Sequence, residues 1–161
     1  MLKQNFNTIG QYDDEDKAYV AFKREEMEMQ YQTAKDFGFV KKYSNHFIYY
    51  FQKLVFDKMG LFATSPVRVL CSVVTIWFIF GLIYVFLQFM GWGATYSSVG
   101  NPDHISMIAQ SFYHSAITFF TIGYGDVFPQ KVSRIFSSIE GFLGVFSMSY
   151  FTVAFVRKVL R

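Results

Sequence analysis

The sequence predicts an all-α membrane protein, with two spanning helices around a re-entrant short helix and loop, plus N-terminal cytoplasmic and interfacial helices. Three observations predict it. Val69 to Met90 runs 22 residues without a charged side chain, about 33 Å of helix and enough to cross the hydrocarbon layer. A second apolar stretch, Ile135 to Val156, holds one acid, Glu140. Between them lies a segment too short and too polar to cross, ending in the glycine-rich Thr121-Ile122-Gly123-Tyr124-Gly125-Asp126.

The N-terminal third reads differently. Residues 1–12 form a polar leader, with no basic and apolar signal-peptide pattern. From Asp13 to Lys35 the chain is rich in helix formers, free of Gly and Pro until Gly38, and opened by Asp13, Asp14, Glu15 and Asp16. Acids in a first turn suit the positive end of a helix dipole. Residues 1–44 are therefore expected to be a cytoplasmic helical segment. In Asn45–Lys58, Phe47, Ile48, Phe51, Leu54 and Val55 fall at helical spacing, with Lys53 and Lys58 near the end. That run is too short to span, and aromatic rings with lysine stems favour the membrane–water layer. Residues 45–64 are expected to be an interfacial amphipathic helix. The net charge of +3 is too small, and its cations too scattered, for nucleic-acid binding. The only cysteine, Cys71, reads as a small packing residue.

Residues 65–161 hold the two spans. Ser65-Pro66 is an N-cap followed by proline at the first helical position, so the outer helix is placed at 67–91. The short helix is placed at 104–120, the loop motif at 121–126 and the inner helix at 133–158. Lys53, Lys58 and Arg68 precede the first span; Arg157, Lys158 and Arg161 follow the second; the connecting stretch has only Lys131 and Arg134. Basic flanks stay on the cytoplasmic side, which puts both termini in the cytoplasm of a cell (plasma or inner) membrane.

A chance Thr-x-Gly-Tyr-Gly-Asp has odds of about 1 in 10,000 in a chain this long at average residue usage. Irregular backbone at membrane depth is tolerated only where it is buried in protein or lines a wet path. Gly123 and Gly125 can take positive φ without a Cβ clash. Successive carbonyl oxygens can then face one way and replace the water around a dehydrated cation, with Ile122 and Tyr124 bracing the strand and the Thr121 hydroxyl added at one end. The C-terminal partial charge of the short helix would favour a cation nearby.

On these residues, the stretch 67–161 resembles the two-span pore domain of potassium channels. More weakly, Ala18–Glu28 and Gly60–Leu70 resemble the segment that precedes the pore in bacterial channel domains joined to pentapeptide-repeat proteins, although this chain has no such repeats. The resemblance implies a prokaryotic homotetramer embedded in lipid, passing K+ as its cargo with no organic cofactor. Thr121, Ile122, Gly123, Tyr124 and Gly125 would be ion ligands, Asp126 the outer-mouth acid and Gly144 the inner-helix gating hinge. Met148, Thr152 and Val156 would line the cavity and inner gate. Two positions depart from the family pattern: Phe120 stands where a second threonine is common, and His114 where an aromatic partner of the outer acid is common. A His114–Asp126 hydrogen bond is one expectation, a packing role for His114 the other. Glu140 either meets ions in transit or braces the pore helix through Ser115, Thr118 or Tyr113, and Gly141 and Gly144 could serve close packing as well as motion.

No helix carries an arginine at every third position, and no C-terminal ligand-binding domain is expected. Regulation is therefore expected through the N-terminal segment, the interfacial helix, lipid or a proton, with Asp13–Lys58 as a collar coupled to the inner gate; its partner or stimulus stays open. The rivals are a poorly selective cation channel, a non-conducting membrane subunit and an enzyme. The last is disfavoured because His46, His104 and His114 have neither nucleophile nor metal-ligand spacing.

Overall fold

The structure, a computed structural model, describes residues 12–35, 39–98 and 105–160. The polar leader over 1–11, the Gly38 break, the Asn101-Pro102 turn, His104 and Arg161 lie outside the described residues. The elements in order are α1 (Tyr12–Lys35), α2 (Phe39–Gln52), a π-helical segment (Lys53–Lys58), α3 (Pro66–Phe89), β1 (Gly93–Ser97), α4 (Met107–Phe119), β2 (Val127–Lys131) and α5 (Ser133–Val159).

Both long helices have the length and composition to cross a membrane. Their burial pattern says more than their length. On α5 the buried positions include Ser133, Glu140, Gly144 and Ser147, while Ile135, Ile139, Phe142, Val145, Val153 and Phe155 are exposed. Polar groups inside and apolar groups outside reverse the order of a water-soluble helix and fit one whose outer face meets lipid. Helix α3 buries Val69, Val73, Phe80, Tyr84 and Leu87 at helical spacing and exposes Val74, Phe78, Ile79, Leu82 and Phe86. Cys71, expected to pack, is on the exposed side.

The chain divides into two compact units, one made of residues to Val69 and from Phe151, the other of Leu70–Tyr150. In the first, α1 packs on α2. Tyr49 stacks on Tyr31 at 4.4 Å and donates to Glu28 at 2.7 Å, and Tyr31 and His46 share a 2.7 Å hydrogen bond. Phe47, Ile48, Phe51 and Leu54 remain exposed. The single helix expected over 45–64 is instead α2 from Phe39, the π-helical segment and a tight turn. Leu61, Phe62 and Ala63 in that turn all have positive φ (48°, 55° and 61°). Three consecutive left-handed residues with side chains are costly, about 1–2 kcal/mol each, and end the helix before Pro66 starts the next.

In the second unit, α4 is capped by Ser106, whose hydroxyl accepts from the Ala109 amide at 3.3 Å. The all-helical expectation omitted a small antiparallel ribbon: β1 pairs with β2 in a register of Gly93 with Lys131 and Ser97 with Val127. Proline is excluded from central strands but not from an edge, and in two strands both are edges, which admits Pro129.

Glycines set three close approaches, one of them at Gly93, where a Cβ would overlap the Ser133 hydroxyl. A Cβ at Gly81 would overlap the Phe112 ring, and one at Gly144 would overlap the Phe119 carbonyl at the end of α4. Gly144 is thus required by close packing within this unit. Gly144→Ala should lower stability by about 1–3 kcal/mol, the usual cost of overpacking. Gly141→Ala, whose Cβ would meet only Thr118 at 4.0 Å, should lie within about 0.5 kcal/mol of the parent. Thermal unfolding of both variants in detergent checks the contrast.

Candidate functional site

Helix α4 ends at Phe119 because the next residues reverse hand. Thr121, Gly123 and Gly125 have φ of 55°, 62° and 77°, whereas Ile122 and Tyr124 stay on the negative side. Alternating left- and right-handed residues turn every peptide plane the same way, so amides face one side and carbonyls the other. The first three amides are spent on α4. Thr121 N–H donates to the Thr118 carbonyl at 3.1 Å, and the N–H groups of Ile122 and Gly123 both donate to Ile117, at 2.9 and 3.2 Å. Both glycines have open space where a Cβ would stand, so their need is conformational rather than steric. Thr121 adopts positive φ without that freedom, a strain sequence reading missed. Its hydroxyl donates to the Phe120 carbonyl at 2.7 Å, which leaves the oxygen lone pairs available to a cation.

Residues 121–125 are all exposed on the single chain, including Ile122 at 50% and Tyr124 at 70%. Exposed large apolar groups of this kind require other surfaces to cover them. Met148, Thr152 and Val156 are likewise exposed, at spacings that share one helical face.

The Asp126 end of the loop is held by more groups than the sequence disclosed. Tyr113 donates its hydroxyl to Asp126 Oδ2 at 2.7 Å, and Asp126 Oδ1 accepts the Val127 amide at 3.0 Å. The expected His114–Asp126 bond is therefore corrected by one residue. On a helix one position is about 100° of rotation, which turns Tyr113 toward the acid and His114 to the buried side. There His114 is 2% exposed, has Nε2 3.3 Å from the Ser137 hydroxyl and meets the Tyr84 ring edge-on at 5.0 Å. Ser98, just after β1, donates its amide to the Asp126 carbonyl at 2.7 Å. The β1 end of the ribbon thereby holds the Asp126 end of the loop.

Glu140 is fully buried and braces α4. Ser115 donates to Oε1 at 2.5 Å and Tyr84 to Oε2 at 2.6 Å. Of the partners foreseen, Ser115 is present, while Thr118 and Tyr113 have other neighbours. Tyr84 was missed, although a hydroxyl inside an otherwise apolar span is itself a signal, because buried phenols seek acceptors. An acid at this depth persists only when its oxygens are paired.

Two spanning helices flank a half-length helix that leads into a loop whose first three amides are spent on that helix and whose residues are exposed. That is the pore domain of an ion channel. The family described as ion channel matches residues 72–161, more than half the chain, and the chain belongs to it. No curated protein and no solved structure gives a significant match.

Replacing Glu140 with alanine takes this acceptor from the buried Tyr84 hydroxyl, while Ser115 keeps the Trp77 carbonyl at 3.1 Å, so Glu140→Ala should cost about 1–3 kcal/mol, the cost of one unsatisfied group. Glu140→Gln keeps a carbonyl acceptor for that hydroxyl and should cost less than half as much. Thermal unfolding of the two variants measures the difference; equal losses would mean that the carboxylate does not hold that hydroxyl.

Proposed function

We propose that this chain is one subunit of a potassium-selective channel, working as a homotetramer that passes K+ down its gradient without catalytic chemistry. One observation carries the reading: at residues 121–125, φ alternates in sign and the first amides are spent on the end of α4, which leaves the carbonyl oxygens of Thr121, Ile122, Gly123 and Tyr124 to replace a hydration shell, while that of Gly125 also accepts the Ser98 hydroxyl at 3.3 Å. One such strand reaches only part of the way round an ion. Four copies enclose it, and they also cover Ile122 and Tyr124. A series of cages binds a dehydrated K+ tightly enough to enter and weakly enough to leave. Asp126, held by Tyr113, places a negative charge at the outer mouth. Met148, Thr152 and Val156 line the inner part of the path, and α5 moves about Gly144 to open it.

The basic flanks support a cell membrane with both termini on the cytoplasmic side. The exposed row Phe47, Ile48, Phe51 and Leu54 supports α2 and the start of the π-helical segment lying in the interface. Within the N-terminal unit, Arg157 near the end of α5 donates to the Phe62 carbonyl at 3.2 Å, pairs with Asp16 at 3.4 Å and lies 4.4 Å over the Tyr19 ring; Lys158 pairs with Asp13 at 3.2 Å. These contacts support a collar that holds the gate-bearing helix.

Full-length protein in liposomes should take up rubidium against a potassium gradient, and the bi-ionic reversal potential should strongly favour potassium over sodium. A reversal potential near zero would make it a poorly selective cation channel, and no uptake a non-conducting subunit. Gly123→Ala, which forces a side chain into positive φ at about 1–2 kcal/mol, should reduce uptake at least about tenfold. Deleting residues 1–44 should change open probability in single-channel records and leave the reversal potential where it was; unaltered gating would remove the collar.

A further inference from the structure

The N-terminal unit contains a cavity of about 420 Å³ that none of the proposed ion path uses. It is lined by Asp16, Lys17, Val20, Ala21, Arg24, Leu61, Thr64 and Arg68. Three cations therefore face it against one carboxylate, and that carboxylate is already engaged with Arg157 and Lys158. Lys17 also pairs with Asp14 at 2.9 Å and Arg24 with Asp57 at 2.8 Å, but their side chains are 77% and 52% exposed. Ion pairs that open to solvent are worth about 0–1 kcal/mol. Lys17 can turn to a better anion at little cost, whereas Arg24 keeps Asp57, whose carboxylate is only 10% exposed, and offers an anion its remaining N–H groups.

The rest of the lining is apolar or structural. Val20 is buried, Ala21 sits beside it on α1, and Leu61 belongs to the left-handed turn. Strained turns of this kind persist where their surroundings over-determine them, and they concentrate at binding sites. Thr64 closes the turn by donating its hydroxyl to the Leu61 carbonyl at 2.7 Å. Arg68 is the third residue of α3, and the uncharged run that enters hydrocarbon begins at Val69. A cation at that point of a spanning helix stands at the level of lipid headgroups.

We propose that this cavity binds a phosphate-bearing anion through Lys17, Arg24 and Arg68, with the headgroup of an anionic phospholipid as the source favoured by the adjoining span and free phosphate as the other source. A guanidinium pair matches phosphate oxygens bidentately, and Lys17 adds a point charge. The apolar patch of Val20, Ala21 and Leu61 accommodates the first carbons of a lipid. Because Asp16 belongs both to this lining and to the contact with Arg157, occupancy reaches the end of α5. The site does not depend on which ion the pore passes.

The test is ligand-dependent thermal unfolding of the full chain in detergent, read without any ion flux. Dioctanoyl phosphatidylglycerol should raise the midpoint saturably, as a ligand of the folded state does, while dioctanoyl phosphatidylcholine at equal concentration should not. An equal rise with inorganic phosphate alone would keep the site and assign it to a soluble anion. Equal rises with both lipids, or no rise with any of the three, would overturn the proposal. Arg68→Gln should weaken the apparent affinity about tenfold, the worth of one charge-assisted hydrogen bond. Lys17→Gln, at an exposed position that folding does not need, should weaken it in the same direction and carries the test should Arg68→Gln not fold. Unchanged affinity in the variants that fold would refute the assignment.

Discussion

A polypeptide at membrane depth must satisfy its own backbone amides, and the remainder of this structure depends on how residues 121–125 do so. The N–H groups of Thr121, Ile122 and Gly123 go to carbonyls of the last turn of α4. Those carbonyls lie behind the strand, and of its own oxygens that of Gly125 accepts the Ser98 hydroxyl at 3.3 Å. No regular helix or sheet offers that arrangement, because both spend each carbonyl on a neighbouring amide. The alternation of hand is what separates donors from acceptors, and it needs glycine at two of three positions and tolerates strain at the third, Thr121.

Such a strand is held from outside itself. Behind it, Glu140 on α5 accepts hydroxyls from Ser115 on α4 and Tyr84 on α3, so one buried acid joins all three helices of the unit. Gly144, one turn further along α5, lets its backbone reach the Phe119 carbonyl. Above the strand, Tyr113 and Ser98 engage Asp126, and the β1 end of the β1–β2 ribbon holds that end of the loop. Polar contacts of this kind are stronger away from water, and a partly satisfied network is costly. The inward polarity and outward hydrophobicity of α5 follow from the same condition: the polar partners must be inside because lipid supplies none.

The N-terminal unit works by another principle, that of charge. Arg24 with Asp57 ties α1 to the π-helical segment, and Arg157 and Lys158 tie it to the end of α5. Arg157 is the most constrained of these cations, with a carboxylate, a carbonyl and an aromatic face around it, and its partly buried setting screens it less than the surface pairs. The left-handed turn at 61–63 brings the Phe62 carbonyl into that set. A chain running straight from Lys58 into Pro66 would not present it.

Much of this was legible in the residues themselves. An uncharged run of 22 residues, a second span with one acid, and a six-residue motif between them determine the membrane class, the element order and the loop that carries the chemistry, because span length and glycine chemistry are local properties. What the sequence could not determine was which side chains meet. Periodicity placed Tyr113 and His114 one residue apart without saying which faces Asp126, and a rotation of 100° decided it. Tyr84 lies 56 positions before Glu140, the ribbon pairs strands from opposite flanks of α4, and Arg157 meets Asp16 from the far end of the chain. These are long-range contacts chosen by the packing of helices against each other, and only the tertiary structure sets that packing.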